Sequence, residues 1–248
     1  MPSLADPQTD RIVGCFLAGA IGDAWGSVYE GSAPPVELKD DIGWILTDDT
    51  QLTLATCEAI VKSGGVDPST IGDHFAQAFR AGGLVGLGAS TFQSLQGLSA
   101  GGHWALVGRN GERAAGNGAA MRAAPLAFCL DPDVPSDRIL IRDVCQITHH
   151  SDEAYIGGLA VIRAIRRAWH GLWPGGPGLI SSIVGGLPDS NVRDRLDELG
   201  RLNPQEPLID VARRFGNSGY VVESVPFALF AAQQAHVSTF DGWLKTII

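Results

Sequence analysis

Trp44-Ile45-Leu46-Thr47-Asp48-Asp49-Thr50 places two adjacent carboxylates between threonines, immediately ahead of a helical apolar pattern. Leu52, Leu54, Ala55, Cys57, Ala59, Ile60 and Val61 follow at a spacing close to 3.6 residues, so Thr47 to Asp49 should form a helix N-terminus. Two readings follow. Asp and Thr are favoured caps, and negative charge there is stabilised by the helix dipole. A cap needs only one side-chain oxygen, however, whereas Asp-Asp beside two threonines offers the several hard oxygen ligands that Mg²⁺ prefers.

Outward from this stretch the pattern is helical. Arg11 to Ala24 reads as a helix with Gly14, Ala18 and Gly22 in a small-residue stripe that would admit another backbone. Residues 27–41, with Glu30 and Pro34-Pro35, read as an irregular flap. Residues 67–80 give a helix opened by Asp67-Pro68-Ser69, and 81–118 are rich in glycine with weak periodicity, as expected of functional loops. Helices are expected over 133–147, 151–169, 180–184, 190–200, 207–215 and 220–235, the last interrupted by Pro226. In the 151–169 helix Ile156, Leu159, Val161, Ile162 and Ile165 should face the core, with Arg163, Arg166 and Arg167 outward. Phe240, Leu244 and Ile247 begin a further helix with no terminating signal before Ile248. No run of alternating β-branched residues interrupts this series, so the expected fold is all-α, a compact orthogonal many-helix bundle with long functional loops in one domain over 1–248.

Composition narrows the partners. The chain has 248 residues, 45% hydrophobic and 18% charged, enough for a sizeable soluble core. A net charge of -9 argues against a nucleic-acid surface while leaving room for a local anion pocket. Cys15, Cys57, Cys129 and Cys145 form no C-x-x-C pair and read as buried thiols in a reducing cytoplasm. The apolar stretch Ile12 to Ile21 lacks a basic leader and is too short to span a bilayer, so neither a targeting segment nor a membrane partner is expected.

Two further stretches carry chemistry. Gly116-Asn117-Gly118 before a small-residue helix start is either a turn using left-handed conformations or a backbone cradle for phosphate, to which Arg122 could add charge. His149 beside His150 lacks the i, i+4 spacing of a zinc helix; it reads as a helix-edge histidine or as a ring lining a cleft.

Taken in order, Gly14 to Glu30, Thr47-Asp48-Asp49-Thr50, the run GNGAAMRAAPL from Gly116 to Leu126, Thr148-His149 to Ala154, and Gly219-Tyr220-Val221-Val222-Glu223 with Pro226 resemble the ADP-ribosylglycohydrolase family, of the type that reactivates dinitrogenase reductase. The resemblance implies a metal-dependent hydrolase that cleaves the ribosyl bond of ADP-ribosylated protein side chains or related conjugates. It implies a two-Mg²⁺ centre, with Mn²⁺ as the alternative, in which Thr47, Asp48 and Asp49 are ligands and Glu30, Asp48 and Asp49 serve catalysis. Gly116, Asn117 and Gly118 would hold pyrophosphate and ribose, Met121 and His149 would line the pocket, and Tyr220 would stack on adenine. The family carries a last Gly-Asp-Thr-Asp-Thr segment that should follow a helix like Phe240 to Ile248, and the expected chain lacks it. A catalytically impaired ADP-ribose or nucleotide-binding module is the alternative.

Overall fold

The computed structural model describes residues 6–32, 36–37, 43–235 and 239–247. Among these the chain is all-α, as its periodicity predicts, with thirteen α-helices and one two-residue parallel strand pair. In chain order the helices are α1 (Pro7–Gly26), α2 (Asp48–Ser63), α3 (Pro68–Ala81), α4 (Ala89–Ser99), α5 (Trp104–Val107), α6 (Ala124–Cys129), α7 (Pro135–Gln146), α8 (Asp152–Trp169), α9 (Leu179–Val184), α10 (Asn191–Gly200), α11 (Leu208–Phe215), α12 (Val221–Gln234) and α13 (Phe240–Ile247). Strand β1 (Arg109–Asn110) pairs with β2 (His149–His150), aligning Arg109 with His149.

Local signals start these helices where expected. Asp67 accepts from the Ser69 and Thr70 amides to cap α3, with Pro68 in the first turn. Ser151 and Ser190 cap α8 and α10 in the same way. Glu153, in the first turn of α8, reaches across to accept from the Asn191 and Val192 amides, which ties the starts of the two helices together.

Helix α8 is the spine of the core. Ile156, Leu159 and Ile162 are buried on it, and it packs against α6, α7, α9, α10 and α12. Two glycines make this possible: a side chain at Gly157 would collide with Val221 of α12, and one at Gly158 would come within 3.0 Å of Cys145 Sγ on α7. The bundle therefore closes on both faces of α8 at van der Waals distance.

Four expectations fail here. Arg163 and Arg166 do not point outward: Arg163 is buried and paired with Asp133, and Arg166 donates to the Ala127 and Leu130 carbonyls and to Asp131. The guanidiniums satisfy the end of α6 and the loop after it, a tertiary demand that helical periodicity does not register. The 81–118 region is not all loop, because α4 occupies 89–99 with Ser90, Thr91 and Ser94 on its buried side, so its inner face carries little apolar signal. Of the four thiols Cys145 alone is buried, Cys129 is exposed, and none is paired. Finally, nothing lies within 4 Å of a Cβ at Gly14 or Gly22, so their stripe admits no neighbouring backbone among the described residues.

Helix α1 with the turn at Ser27–Tyr29 is longer than the apolar stretch predicted; by length and composition alone it is long and apolar enough to cross a membrane. It is tied to the bundle near both ends, by Arg11 donating to the Trp169 carbonyl at 2.7 Å and by Asp23 binding the start of α2. Much of the flap over 27–41 (residues 33–35 and 38–41) lies outside the described residues.

Candidate active site

Asp23, on the last turns of α1, decides what the Thr47–Thr50 stretch does. Its Oδ1 accepts from Thr47 Oγ1 at 2.6 Å, and its Oδ2 accepts from the Thr47 amide at 2.9 Å, the Thr50 amide at 3.2 Å and Thr50 Oγ1 at 2.6 Å. The N-terminus of α2 is thus capped from another helix, and Thr47, although in the N-cap position, makes no side-chain cap of its own. The capping explanation for Asp48 and Asp49 loses its force, since Asp23 already meets that need.

The first turn of α2 is held rigidly. The Asp48 amide donates to the Val85 carbonyl at 2.7 Å, and Gln51 brackets the same loop, donating to the Gly83 carbonyl and accepting from the Val85 amide. Gly86, with φ +84, lets that loop pass the carboxylate, because a Cβ there would lie 3.1 Å from Asp48 Oδ1. Asp48 is 5% exposed. Burial, with the negative charges of Glu30 and Asp23, pushes its carboxyl up to about 6 against the pull of its own backbone amide and of Arg122. Asp49 stands at the rim, open to water on one side; the protein behind it, then the charges of Asp48, Asp23 and Glu30, push it up to about 7. Among the described residues neither carboxylate has an ion-pair partner. The pair is a pocket of uncompensated negative charge on a fixed scaffold.

The Gly116–Gly118 segment forms the second part. The Asn117 amide donates to the Gly219 carbonyl at 3.0 Å and the Val221 amide to the Ala115 carbonyl at 3.0 Å, so Gly116 and Tyr220 face each other in an antiparallel bridge. The Asn117 amide is therefore committed within the protein, and a cradle here draws on Gly118 and its neighbours in the short 3-10 turn Asn117–Ala119. His149, 3% exposed on β2, lies against it. A Cβ at Gly118 would come within 2.7 Å of His149 Cε1, and one at Gly116 within 3.2 Å of its Nε2, so both glycines are needed for the chain to cross the imidazole. Burial, followed by the charges of Arg122 and Arg109, drives His149 down to about 3, which leaves the ring neutral near pH 7.

Beside the bridge opens a recess of about 570 Å³ lined by Gly111, Ala115, His150, Ser151, Asp152, Glu153, Asn191 and Tyr220. Asp48 and Asp49 do not line it. Ala115 lines the recess, and the buried Arg122 farther along the same segment acts electrostatically on both Asp48 and His149.

The sequence model of the ADP-ribosylglycohydrolase family matches residues 4–248. The chain belongs to the ADP-ribosylglycohydrolase family. As a family member it is a hydrolase of ADP-ribose conjugates. It is 25% identical over 287 aligned positions to ADP-ribosylhydrolase ARH3 of Mus musculus, an alignment covering 96% of this chain and 77% of that protein. It also resembles a structure solved as an ADP-ribosylglycohydrolase-related protein complex, with a TM-score of 0.62, 26% identity and coverage of 98% of this chain and 81% of that one.

Within this ADP-ribosylglycohydrolase fold the residues singled out from sequence fall into two groups. Thr47, Asp48 and Asp49 stand together with Glu30 close enough for its charge to act on both aspartates, although Glu30 itself is exposed. Gly116, Asn117, Gly118, His149 and Tyr220 form the second group, with Tyr220 on the wall of the recess. Met121 is partly buried against the core, and its amide donates to the Asn117 carbonyl. Sequence reasoning missed the role of Asp23; the available signal was the pair Thr47 and Thr50, whose hydroxyls lie three residues apart on one turn and needed a common acceptor. It also missed Thr148, which is fully buried and joins Arg122 to His149.

Proposed function

We propose that this protein is a Mg²⁺-dependent hydrolase of the ribosyl bond in ADP-ribosylated protein side chains or smaller ADP-ribose conjugates. The observation that carries the metal is the acidic pair: among the described residues Asp48 and Asp49 make no side-chain cap and pair with no cation, and both are pushed well above the usual carboxylate range. Divalent charge is what such a pair lacks.

The donor set fits a hard cation. Among the described residues no three His, Cys, Asp or Glu side chains converge as a closed metal cage, but Mg²⁺ keeps several waters and is commonly held by one or two carboxylates together with substrate oxygens. Asp48 and Asp49 would supply the charge. Thr47 Oγ1, donating its hydrogen bond to Asp23, keeps lone pairs for coordination. Mn²⁺ suits the same oxygens. The bound ions would orient the ribose hydroxyls and a water for attack at the anomeric carbon as oxocarbenium character develops.

The protein's own groups do the rest. The Gly118 segment would offer backbone amides of its short 3-10 turn to an anion, which suits the pyrophosphate. The neutral His149 ring lies against that cradle. Tyr220, 41% exposed on the wall of the recess, offers an aromatic face for the adenine. Glu30, close enough for its charge to act on both aspartates, would take the proton of a water approaching the ribose. Four unpaired thiols suit a reducing cytoplasm.

Calorimetric titration of ADP-ribose with Mg²⁺, and again with chelator, tests this reading. Binding that strengthens with Mg²⁺ supports it, and equal binding with chelator removes the metal from the account. A panel of arginine-linked, serine-linked and small-molecule conjugates then assigns the leaving group.

A further inference from the structure

Arg122 is 1% exposed, the largest fully buried side chain described, and among the described residues it forms no ion pair. Its guanidinium lies 4.9 Å over the Phe75 ring, donates to the Val144 carbonyl at 3.2 Å and to Thr148 Oγ1 at 2.6 Å, and leaves Nε without a partner. A buried cation so poorly satisfied is costly, and it stays charged, held down only to about 10. Its short bond to Thr148 is the contact that leads toward the active site.

Thr148 Oγ1 lies 2.8 Å from His149 Nδ1. Arg122 can only donate, so it occupies one lone pair of the Thr148 hydroxyl. Two arrangements remain. In one, the Thr148 O–H donates to Nδ1 and the imidazole proton sits on Nε2. In the other, Nδ1–H donates to the second lone pair, and the O–H must find a different acceptor. Thr148 is fully buried, and among the described residues its hydroxyl oxygen has no partner besides Arg122 and His149. The second arrangement would leave a buried donor unmade.

We propose that Thr148, oriented by Arg122, is a positioning residue that fixes His149 in the Nε2–H tautomer, so that the ring presents a hydrogen-bond donor to the oxygen-rich ligand carried by Gly116–Gly118. At the other end of the ring Nε2 lies against the backbone of the cradle, 3.2 Å from where a Cβ would sit at Gly116 or at Gly118. A donor there complements phosphate or ribose oxygen; a bare ring nitrogen would repel it. The ring's neutrality makes the tautomer, rather than the charge, the quantity that the surroundings select. The inference rests on reading this cradle as an ADP-ribose site.

The test is nitrogen-15 NMR of histidine-labelled, ligand-free protein near pH 7.5, with the His149 signals assigned by their loss in His149→Gln, alongside ADP-ribose affinity. The wild type should show a protonated, pyrrole-type Nε2 and an unprotonated Nδ1. Thr148→Val should shift those signals away from the single-tautomer pattern and weaken ADP-ribose about tenfold, the effect of one well-placed hydrogen bond. Thr148→Ser, which keeps the hydroxyl, should restore both. A protonated Nδ1 in the wild type overturns the proposal whatever the variants do, as does a Thr148→Val protein with wild-type signals and affinity. A wild type that has the Nε2–H tautomer but binds no ADP-ribose would defeat the functional reading while confirming the tautomer.

Discussion

Asp48→Asn should make the metal-free protein more stable while removing its response to Mg²⁺. Asp48 is 5% exposed and its carboxyl is pushed from 3.8 to about 6. Near pH 8 the folded state therefore carries a charge disfavoured by about 2 pKa units, or about 3 kcal/mol at 1.36 kcal/mol per unit. The amide loses the favourable interaction of a charge with the helix N-terminus, about 0.5–1 kcal/mol, so the net gain is about 2 kcal/mol. For a chain of this size that is a rise of about 4–8 °C in melting temperature. The sign in pH is fixed by the direction of the shift. Because the folded-state value is raised, the folded protein takes up a proton as pH falls through about 6 while the unfolded chain waits until about 3.8. The wild type thus recovers this stability gradually as pH falls from about 6 to about 3.8, and the advantage of the variant should be full at pH 8 and about halved at pH 5. Comparing the two proteins at each pH cancels the opposing contribution of His149, whose depressed value favours the unfolded chain as pH falls below about 6.5. Urea unfolding in chelator at both pH values, repeated with Mg²⁺, measures all of this. Saturating Mg²⁺ should stabilise the wild type and leave the variant unmoved. An Asn variant no more stable than wild type in chelator at pH 8, or equally advantaged at pH 5, would refute the reasoning.

Two further predictions follow from the scaffold. Asp23→Ala removes four hydrogen bonds from the start of α2 and should cost about 2–3 kcal/mol, less than their sum because one of the repelling charges goes too; it should also abolish the Mg²⁺ response, and chemical unfolding with and without Mg²⁺ checks both. Gly118→Ala sets a Cβ within 2.7 Å of His149 Cε1 and 3.1 Å of Thr91 Oγ1 and should cost about 1–3 kcal/mol with at least a tenfold loss of ADP-ribose affinity, whereas Gly185→Ala, with nothing within 4 Å and a helical backbone, should change neither.

The helices that sequence showed clearly are those whose ends are local events. Asp67-Pro68, Ser151 and Ser190 cap amides two or three residues away, and α3, α8 and α10 begin beside them. Helix α4 was hidden because Ser90, Thr91 and Ser94 share its buried side with only Leu95 and Leu98, and hydroxyls do not register as an apolar stripe. Arg163 and Arg166 were misplaced because their partners, Asp133 and the carbonyls after α6, are more than twenty residues away in the chain. The same division runs through the site. Asp48-Asp49 and Gly116–Gly118 were legible as short motifs, whereas the cap from Asp23 and the chain from Arg122 through Thr148 to His149 exist only once distant segments meet. Local chemistry can be read along a sequence; satisfaction of buried polar groups is settled across it.

The most direct test of the central claim is the hydrolysis rate of an ADP-ribosylated substrate by the wild type with Mg²⁺, with chelator, and by the Asp48→Asn/Asp49→Asn double variant. Turnover that requires Mg²⁺ and falls at least a thousandfold in the double variant, about 4 kcal/mol of lost transition-state stabilisation, is the predicted result. Turnover that persists in chelator, or in the double variant, would contradict the assignment of Asp48 and Asp49 as the metal-holding carboxylates.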